Sequence, residues 1–202
     1  MSANVVPGLE KDFHLLQEFV SGGSGSSWME YTKVKLYTNA FVFHDNKILL
    51  GYKKRGIGMH KYNGFGGKVE AGETCLEAAA RELEEEAGIK SSLKHIGVLF
   101  FFGENEDQCA FHIDIYRGDG FEGTVTESDE MSPQWFSVSD SSNSETASHT
   151  PPIPYEKLWE TDPHWFPLLL SETPFRGRAD FRMDKEKGKL VPFKWWYGVC
   201  SA

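Results

Sequence analysis

The stretch Gly67-Lys-Val-Glu-Ala-Gly-Glu73-Thr-Cys-Leu-Glu-Ala-Ala-Ala-Arg81-Glu82-Leu83-Glu-Glu85-Glu86-Ala-Gly88-Ile89 governs how the rest of the chain is read. At about 100° per residue, the spacing predicts a helix over Thr74–Ala87 with Leu76, Ala80, Leu83 and Ala87 on one apolar core stripe. Glu82, Glu85 and Glu86 gather on one flank of that stripe, within about 100° of arc. Glu77 and Glu84 take the other flank. Thr74 follows a glycine-rich turn, and Gly88 stands where a helix-terminating glycine belongs.

An acidic helix face is ordinarily a solvated one. Three features speak against that here. Like charges at i,i+3 and i,i+4 repel. No lysine is interleaved to relieve them, although Arg81 can pair with Glu85 four residues on. Glu85 and Glu86 also lie near the helix C-terminus, where the dipole disfavours anions. A helix that gathers negative charge against its own stability is expected to hold a cation. All-oxygen ligands select a hard ion, Mg²⁺ or Mn²⁺, over Zn²⁺. Just upstream, Asn63-Gly64-Phe65-Gly66-Gly67-Lys68 lets the backbone come close to a ligand, and a carbonyl there can join a metal shell. Together, loop and helix read as a phosphate-plus-metal site.

Around this core the chain reads as strands. Val34–Phe43 and Lys47–Tyr52 flank a His44-Asp45-Asn46 turn. Ile96–Phe102, Ala110–Arg117 and Gln134–Val138 are further strands, and Phe175–Tyr197 resembles a terminal hairpin. Pro154–Leu170 carries helical spacing interrupted by Pro163 and Pro167, which predicts two short helical pieces. Residues 1–30 read as an N-terminal extension. In it Leu9, Phe13, Leu16 and Phe19–Val20 suit a short amphipathic helix, followed by the Gly/Ser linker Ser21–Ser27. Residues 31–202 form the folded domain, with a surface insertion at 139–152. The class is α+β with a mixed sheet.

The 202 residues suit one domain with extensions, at about 150 residues per domain. The 40% hydrophobic and 25% charged residues are those of an ordinary globular protein. No apolar run approaches a membrane span, so no membrane partner is expected. A net charge of −9 argues against binding a nucleic-acid polymer, which needs a basic face. Cys75, Cys109 and Cys200 form no CxxC pair and read as reduced thiols. With no presequence pattern in the first 30 residues, a cytoplasmic location is expected, nuclear or mitochondrial pools staying open.

Residues 67–89 match the signature Gly-x5-Glu-x7-Arg-Glu-(apolar)-x-Glu-Glu-x-Gly-(apolar) at all nine defined positions, and so resemble the Nudix family. Leu36-Tyr37-Thr38, Lys53-Lys54-Arg55-Gly56, Asn63–Val69, Glu127-Ser-Asp-Glu130-Met131, Trp135-Phe136 and Trp165-Phe-Pro-Leu-Leu-Leu170 extend the likeness. They resemble the MutT-type branch that hydrolyses oxidised purine nucleoside triphosphates, from about residue 34 to about 181.

The resemblance implies a Nudix fold, a mixed sheet sandwiched between helices. It implies Mg²⁺-dependent release of a nucleoside monophosphate and pyrophosphate, cleansing the nucleotide pool of precursors of DNA damage. It places Mg²⁺ on Glu82, Glu85 and Glu86, joined by the Gly66 carbonyl and Glu130, with Arg81 orienting the carboxylates and Glu73 bracing the loop. The general base is one of Glu86, Glu130 and Glu82. Lys53 is a phosphate contact or a solvated lysine.

For the purine, the resemblance points to Asn63, Trp159 and Met131, with Thr38, Ile57 and Phe101 lining the cavity. Trp159, Met131 and Phe101 read equally as core. The family's paired aspartates become Thr161 and Asp162, and Ile57 replaces an aromatic. The implied partner is a small nucleotide, and the family suggests a monomer. Other Nudix substrates, such as a dinucleoside polyphosphate, ADP-ribose, a nucleotide sugar or a capped RNA, fit the signature alone equally well. A non-catalytic nucleotide-binding module ordinarily loses a signature glutamate, and none is lost here.

Overall fold

A computed structural model describes residues 5–11, 13–104, 107–138, 150–186 and 188–200. In chain order these form β1 (Leu16–Gly23), β2 (Lys33–His44), β3 (Lys47–Lys53), β4 (Tyr62–Asn63), α1 (Cys75–Ala87), β5 (Ile89–Lys90) and β6 (Leu93–Gly103). There follow β7 (Cys109–Asp119), β8 (Glu122–Gly123), β9 (Met131–Ser137), α2 (Asp162–Leu170), β10 (Phe175–Asp184) and β11 (Lys189–Cys200). The residues fall into two compact units. The first comprises Met1–Tyr37, Ile96–Asp114 and Glu160–Ala202, the second Thr38–His95 and Ile115–Trp159.

In the first unit the strand order is β1-β11-β10-β6. β11 pairs antiparallel with both β1 and β10, while β10 runs parallel to β6, from Phe175 opposite Gly97 to Phe181 opposite Gly103. This is the mixed sheet that the sequence predicts. The terminal hairpin β10–β11 is present, and α2 starts with Asp162 and Pro163, where proline lacks only an N–H that the first turn leaves unused.

The N-terminal segment departs from expectation. Leu9–Val20 is not an amphipathic helix. A 3₁₀ turn at Phe13–Leu15 leads into β1, whose Leu16–Gly23 pairs with Lys194–Cys200. Ser21–Gly23, expected as flexible linker, belongs to this strand, and Ser24 N–H donates to the Phe193 carbonyl at 2.8 Å. The spacing that mimics a helix instead serves burial: Val6, Leu9 and Phe13 pack with Phe100, Phe102, Ala110 and Trp196. Arg178, fully buried, fastens the segment. It pairs with Asp180 at 2.8 Å and donates to the Pro7 and Met29 carbonyls at 2.8 and 2.7 Å. Asp180 in turn accepts from Met29 N–H at 2.7 Å. The arm thus satisfies both Nη atoms of Arg178 and Oδ2 of Asp180, while Arg178 Nε and Asp180 Oδ1 satisfy each other, the condition under which a buried pair is tolerated.

In the second unit β3 pairs with β2, β4 and β9, all antiparallel, and β5 pairs with β8. Val42, Leu49, Phe65, Leu83, Ala87, Ile89 and Met131 form its core. α1 is bounded as predicted. Thr74 caps it by accepting from Glu77 N–H while Glu77 accepts from Thr74 N–H, and Gly88, at φ +70°, closes it in the left-handed conformation. Of the predicted insertion, 139–149 lies outside the described residues. Pro152 bridges to Ser137.

Candidate active site

The site in the second unit is built on the loop that enters α1. Thr38 N–H donates to the Gly67 carbonyl at 2.9 Å, and Ala40 and Phe65 exchange both backbone hydrogen bonds at 2.7 and 2.9 Å. Phe65, fully buried, anchors the loop in the core. A side chain on Gly66 would run into the Thr38 backbone, and one on Gly67 into the Glu82 carboxylate. The glycines thus permit the strand, the loop and a carboxylate to meet without a wall of side chains.

This explains a correction to the helix. Leu76 and Ala80, expected in the core, are exposed. The buried face is Ala78, Ala79, Leu83, Glu86 and Ala87. The helix is turned so that its acidic flank faces the loop, where Gly66 N–H donates to Glu86 Oε2 at 2.9 Å. Only 7% of the Glu86 side chain is exposed. Burial pushes its carboxyl up to about 7, against the pull of Lys53 and the Gly66 amide. Burial also raises Glu82, partly offset by Arg81.

Three basic side chains hold the acids apart. Lys53 Nζ sits 3.3 Å from both Glu86 Oε1 and Glu130 Oε2. Arg55 donates twice to Glu130 Oε1, at 2.7 and 3.1 Å. On Glu130, burial works upward but these cations outweigh it and hold the carboxyl below its usual range. Arg81 grips Glu73 with two parallel hydrogen bonds, 2.8 and 3.1 Å, and reaches Glu82 at 2.9 Å and Glu85 at 3.2 Å. The Arg81 pairing holds Glu73 low in pKa, helped by the Glu70 amide at 2.6 Å. One guanidinium therefore ties loop residue Glu73 to the acidic flank of α1. Glu85 is the outlying member, its side chain 58% exposed.

Among the described residues, no three His, Cys, Asp or Glu side chains are placed closely enough to hold a metal ion as they stand. The donor set nevertheless suits a hard divalent ion. It is all oxygen, it includes a buried carboxylate whose charge lacks full compensation, and an ammonium already sits between Glu86 and Glu130.

Of the other expected residues in this unit, Thr38 is buried with its hydroxyl unpartnered, and Asn63 is half-buried at the end of β4. Trp159 lies under Lys61, whose Nζ is 5.2 Å from the ring centroid, and beside Gly58. Ile57 stands out in solvent, 77% exposed. Met131 follows the core reading: it is buried, with its sulfur facing Gly51. The sequence reading missed Arg55 and Asn39. A buried asparagine inside an apolar strand was the available signal, because asparagine is depleted in strands.

In the first unit, Phe101 is half-buried against Phe181, ring centroids 5.6 Å apart. Asp162 is buried and accepts from Trp165 Nε1 at 3.1 Å. Thr161 is fully buried, its hydroxyl leaning on the Tyr197 phenol short of full hydrogen-bond geometry. Burial raises the Tyr197 phenol far above its ordinary value.

The NUDIX domain pattern matches residues 35–158. The chain belongs to the Nudix family. It is 42% identical over 151 residues to the oxidized purine nucleoside triphosphate hydrolase of Danio rerio, covering 73% of this chain and 87% of that one. It is 41% identical over 150 residues to the protein of the same description from Mus musculus, with the same coverage. A crystal structure of a MutT protein from Bacillus halodurans superposes with a TM-score of 0.59 at 21% identity, over 82% of this chain and 97% of that one, a likeness of fold.

Proposed function

We propose that this chain hydrolyses oxidised purine nucleoside triphosphates, such as 8-oxo-dGTP, to the monophosphate and pyrophosphate. The observation that carries the reading is the buried Glu86 at the mouth of the glycine loop, with Glu82 and Glu130 beside Lys53. The resemblance to hydrolases of oxidised purine triphosphates over most of their length supplies the substrate class.

Glu82, Glu86 and Glu130 would hold Mg²⁺, with Glu85 and the Gly66 carbonyl as further donors. Bound there, the ion would neutralise triphosphate charge and lower the pKa of a water. The chain's own residues do the rest. Lys53, freed from the carboxylates, reaches the phosphates. Arg81 keeps Glu82 and Glu85 in place from behind. A water oxygen bonds to phosphorus as the phosphoanhydride P–O bond breaks, its electrons leaving with the departing phosphate. The water's proton passes to a carboxylate of Glu82, Glu86 or Glu130.

Asn63 would meet the purine edge in the second unit, beside Thr38 and Trp159. Asp162, Thr161 and Phe101 carry base-contact roles by resemblance. Action on a cytoplasmic nucleotide pool is part of the same proposal.

The test is a kcat/KM panel with Mg²⁺ over 8-oxo-dGTP, dGTP, 2-hydroxy-dATP, ADP-ribose and a diadenosine polyphosphate, reading pyrophosphate and phosphate separately. Preference for 8-oxo-dGTP with pyrophosphate release is expected. Preference for ADP-ribose or the dinucleotide would overturn the substrate class.

A further inference from the structure

Asn63 is half-buried, and its side-chain oxygen is doubly occupied. Asn39 Nδ2 donates to Asn63 Oδ1 at 2.7 Å, and Gly64 N–H donates to the same oxygen at 2.9 Å. Asn39 sits in β2 between Thr38 and Ala40, the two residues whose backbones clamp the loop. It is 8% exposed, and its own Oδ1 is buried without a hydrogen-bond partner. An unsatisfied buried acceptor costs stability. An aliphatic residue would fill this strand position without that cost. What the asparagine supplies in return is a donor aimed at Asn63.

The consequence is chemical. A carboxamide can present either an oxygen or an NH₂ group, and its two orientations are nearly isosteric. Here a flip of Asn63 would set its NH₂ against two donors, Asn39 Nδ2 and the Gly64 amide. Asn63 is therefore held with its oxygen inward and both Nδ2 protons left for a ligand. Such a group matches an acceptor on the purine, the 6-oxo oxygen of a guanine-type base. It meets the 6-amino group of an adenine-type base donor to donor.

We propose that Asn39 is a positioning residue that fixes the amide orientation of Asn63, so that the site favours 6-oxopurine over 6-aminopurine nucleotides. This rests on the reading that Asn63 meets the base.

The experiment compares kcat/KM for 8-oxo-dGTP and 8-oxo-dATP in the wild type, Asn39→Leu, Asn63→Ala and the double variant. Asn39→Leu is expected to reduce the 8-oxo-dGTP to 8-oxo-dATP ratio about tenfold, through KM rather than kcat. Adding Asn39→Leu to Asn63→Ala is expected to change the ratio no further, since the effect runs through Asn63. A purely structural role for Asn39 would lower activity in both backgrounds and leave the ratio unmoved, and that result overturns the proposal. If Asn63→Ala leaves KM and ratio unchanged, the base-contact reading itself fails, and the proposal with it. Side-chain amide exchange in the wild-type protein needs no variant to fold. The Asn39 NH₂ should be protected and the Asn63 NH₂ should exchange freely until nucleotide binds. An Asn39 amide exchanging as fast as a surface asparagine overturns the proposal.

Discussion

Lys53 and Glu86 form the central contact of the site: the ammonium lies 3.3 Å from Glu86 Oε1, while the other carboxylate oxygen takes the Gly66 amide. Lysine and glutamate come from β3 and α1, 33 residues apart. The Glu86 oxygens that accept from Lys53 and from the Gly66 amide are hard donors of the type a divalent ion would take under the proposed function.

Removing that charge should separate stability from activity. Glu86→Gln is nearly isosteric and keeps an acceptor for Gly66 N–H. Hydrolysis with Mg²⁺ should fall by about 100-fold or more, with the melting temperature of the metal-free protein unchanged or higher. Wild-type kcat in the variant would remove Glu86 from the site.

The pH dependence follows from the same residue. Glu86 titrates at about 7 when folded, against 4.5 for the free side chain. The folded protein keeps a proton that the unfolded chain has already released. The contribution of Glu86 to stability is therefore fully present below about 4.5 and is lost as pH rises through about 7, at no more than about 1.4 kcal/mol per pH unit. Mg²⁺ must displace that proton, so its apparent affinity should weaken as pH drops below 7. Thermal melts at pH 5 and pH 8, with and without Mg²⁺, measure both effects. Equal Mg²⁺ stabilisation at the two pH values would contradict this account.

The N-terminal arm should be needed for folding of the first unit. Deleting residues 1–30 strips two acceptors from buried Arg178 and uncovers Phe100, Phe102 and Trp196. A loss of about 4 kcal/mol or more is expected from the apolar area and orphaned donors together. Urea unfolding reads it directly; an unchanged midpoint would return the arm to the status of an appendage.

Thr161 should shape the choice among oxidised purines. Two buried acids can share a proton and present either a donor or an acceptor, whereas a threonine beside Asp162 keeps one partner neutral. Thr161→Asp is expected to alter the ratio of 8-oxo-dGTP to 2-hydroxy-dATP turnover several-fold. The same ratio in variant and wild type would show that this position plays no part in base choice.

Much of the fold was legible because its signals are local. The cap at Thr74, the left-handed Gly88, the His44–Asn46 turn and the terminal hairpin each depend on a few neighbouring residues. The residues 9–20 misled for the same reason. Apolar spacing there fits a helix, but the free edge of β11 and a groove lined by Phe100 and Trp196 make strand and burial the better solution. Local periodicity cannot see a partner that lies more than 170 residues along the chain.

The sequence by itself determined that acids at 82, 85 and 86 share one flank of a helix, that glycines precede it, and that Arg81 is placed to meet Glu85 four residues on. Helical geometry and backbone freedom suffice for that. Only the tertiary structure decided which way the flank faces, that Lys53 and Arg55 gather Glu130 to it, that Met131 is core, and that Asn39 orients Asn63. These outcomes rest on burial and on long-range strand pairing. Both are set when the whole chain competes for the same interior, and neither leaves a period in the sequence.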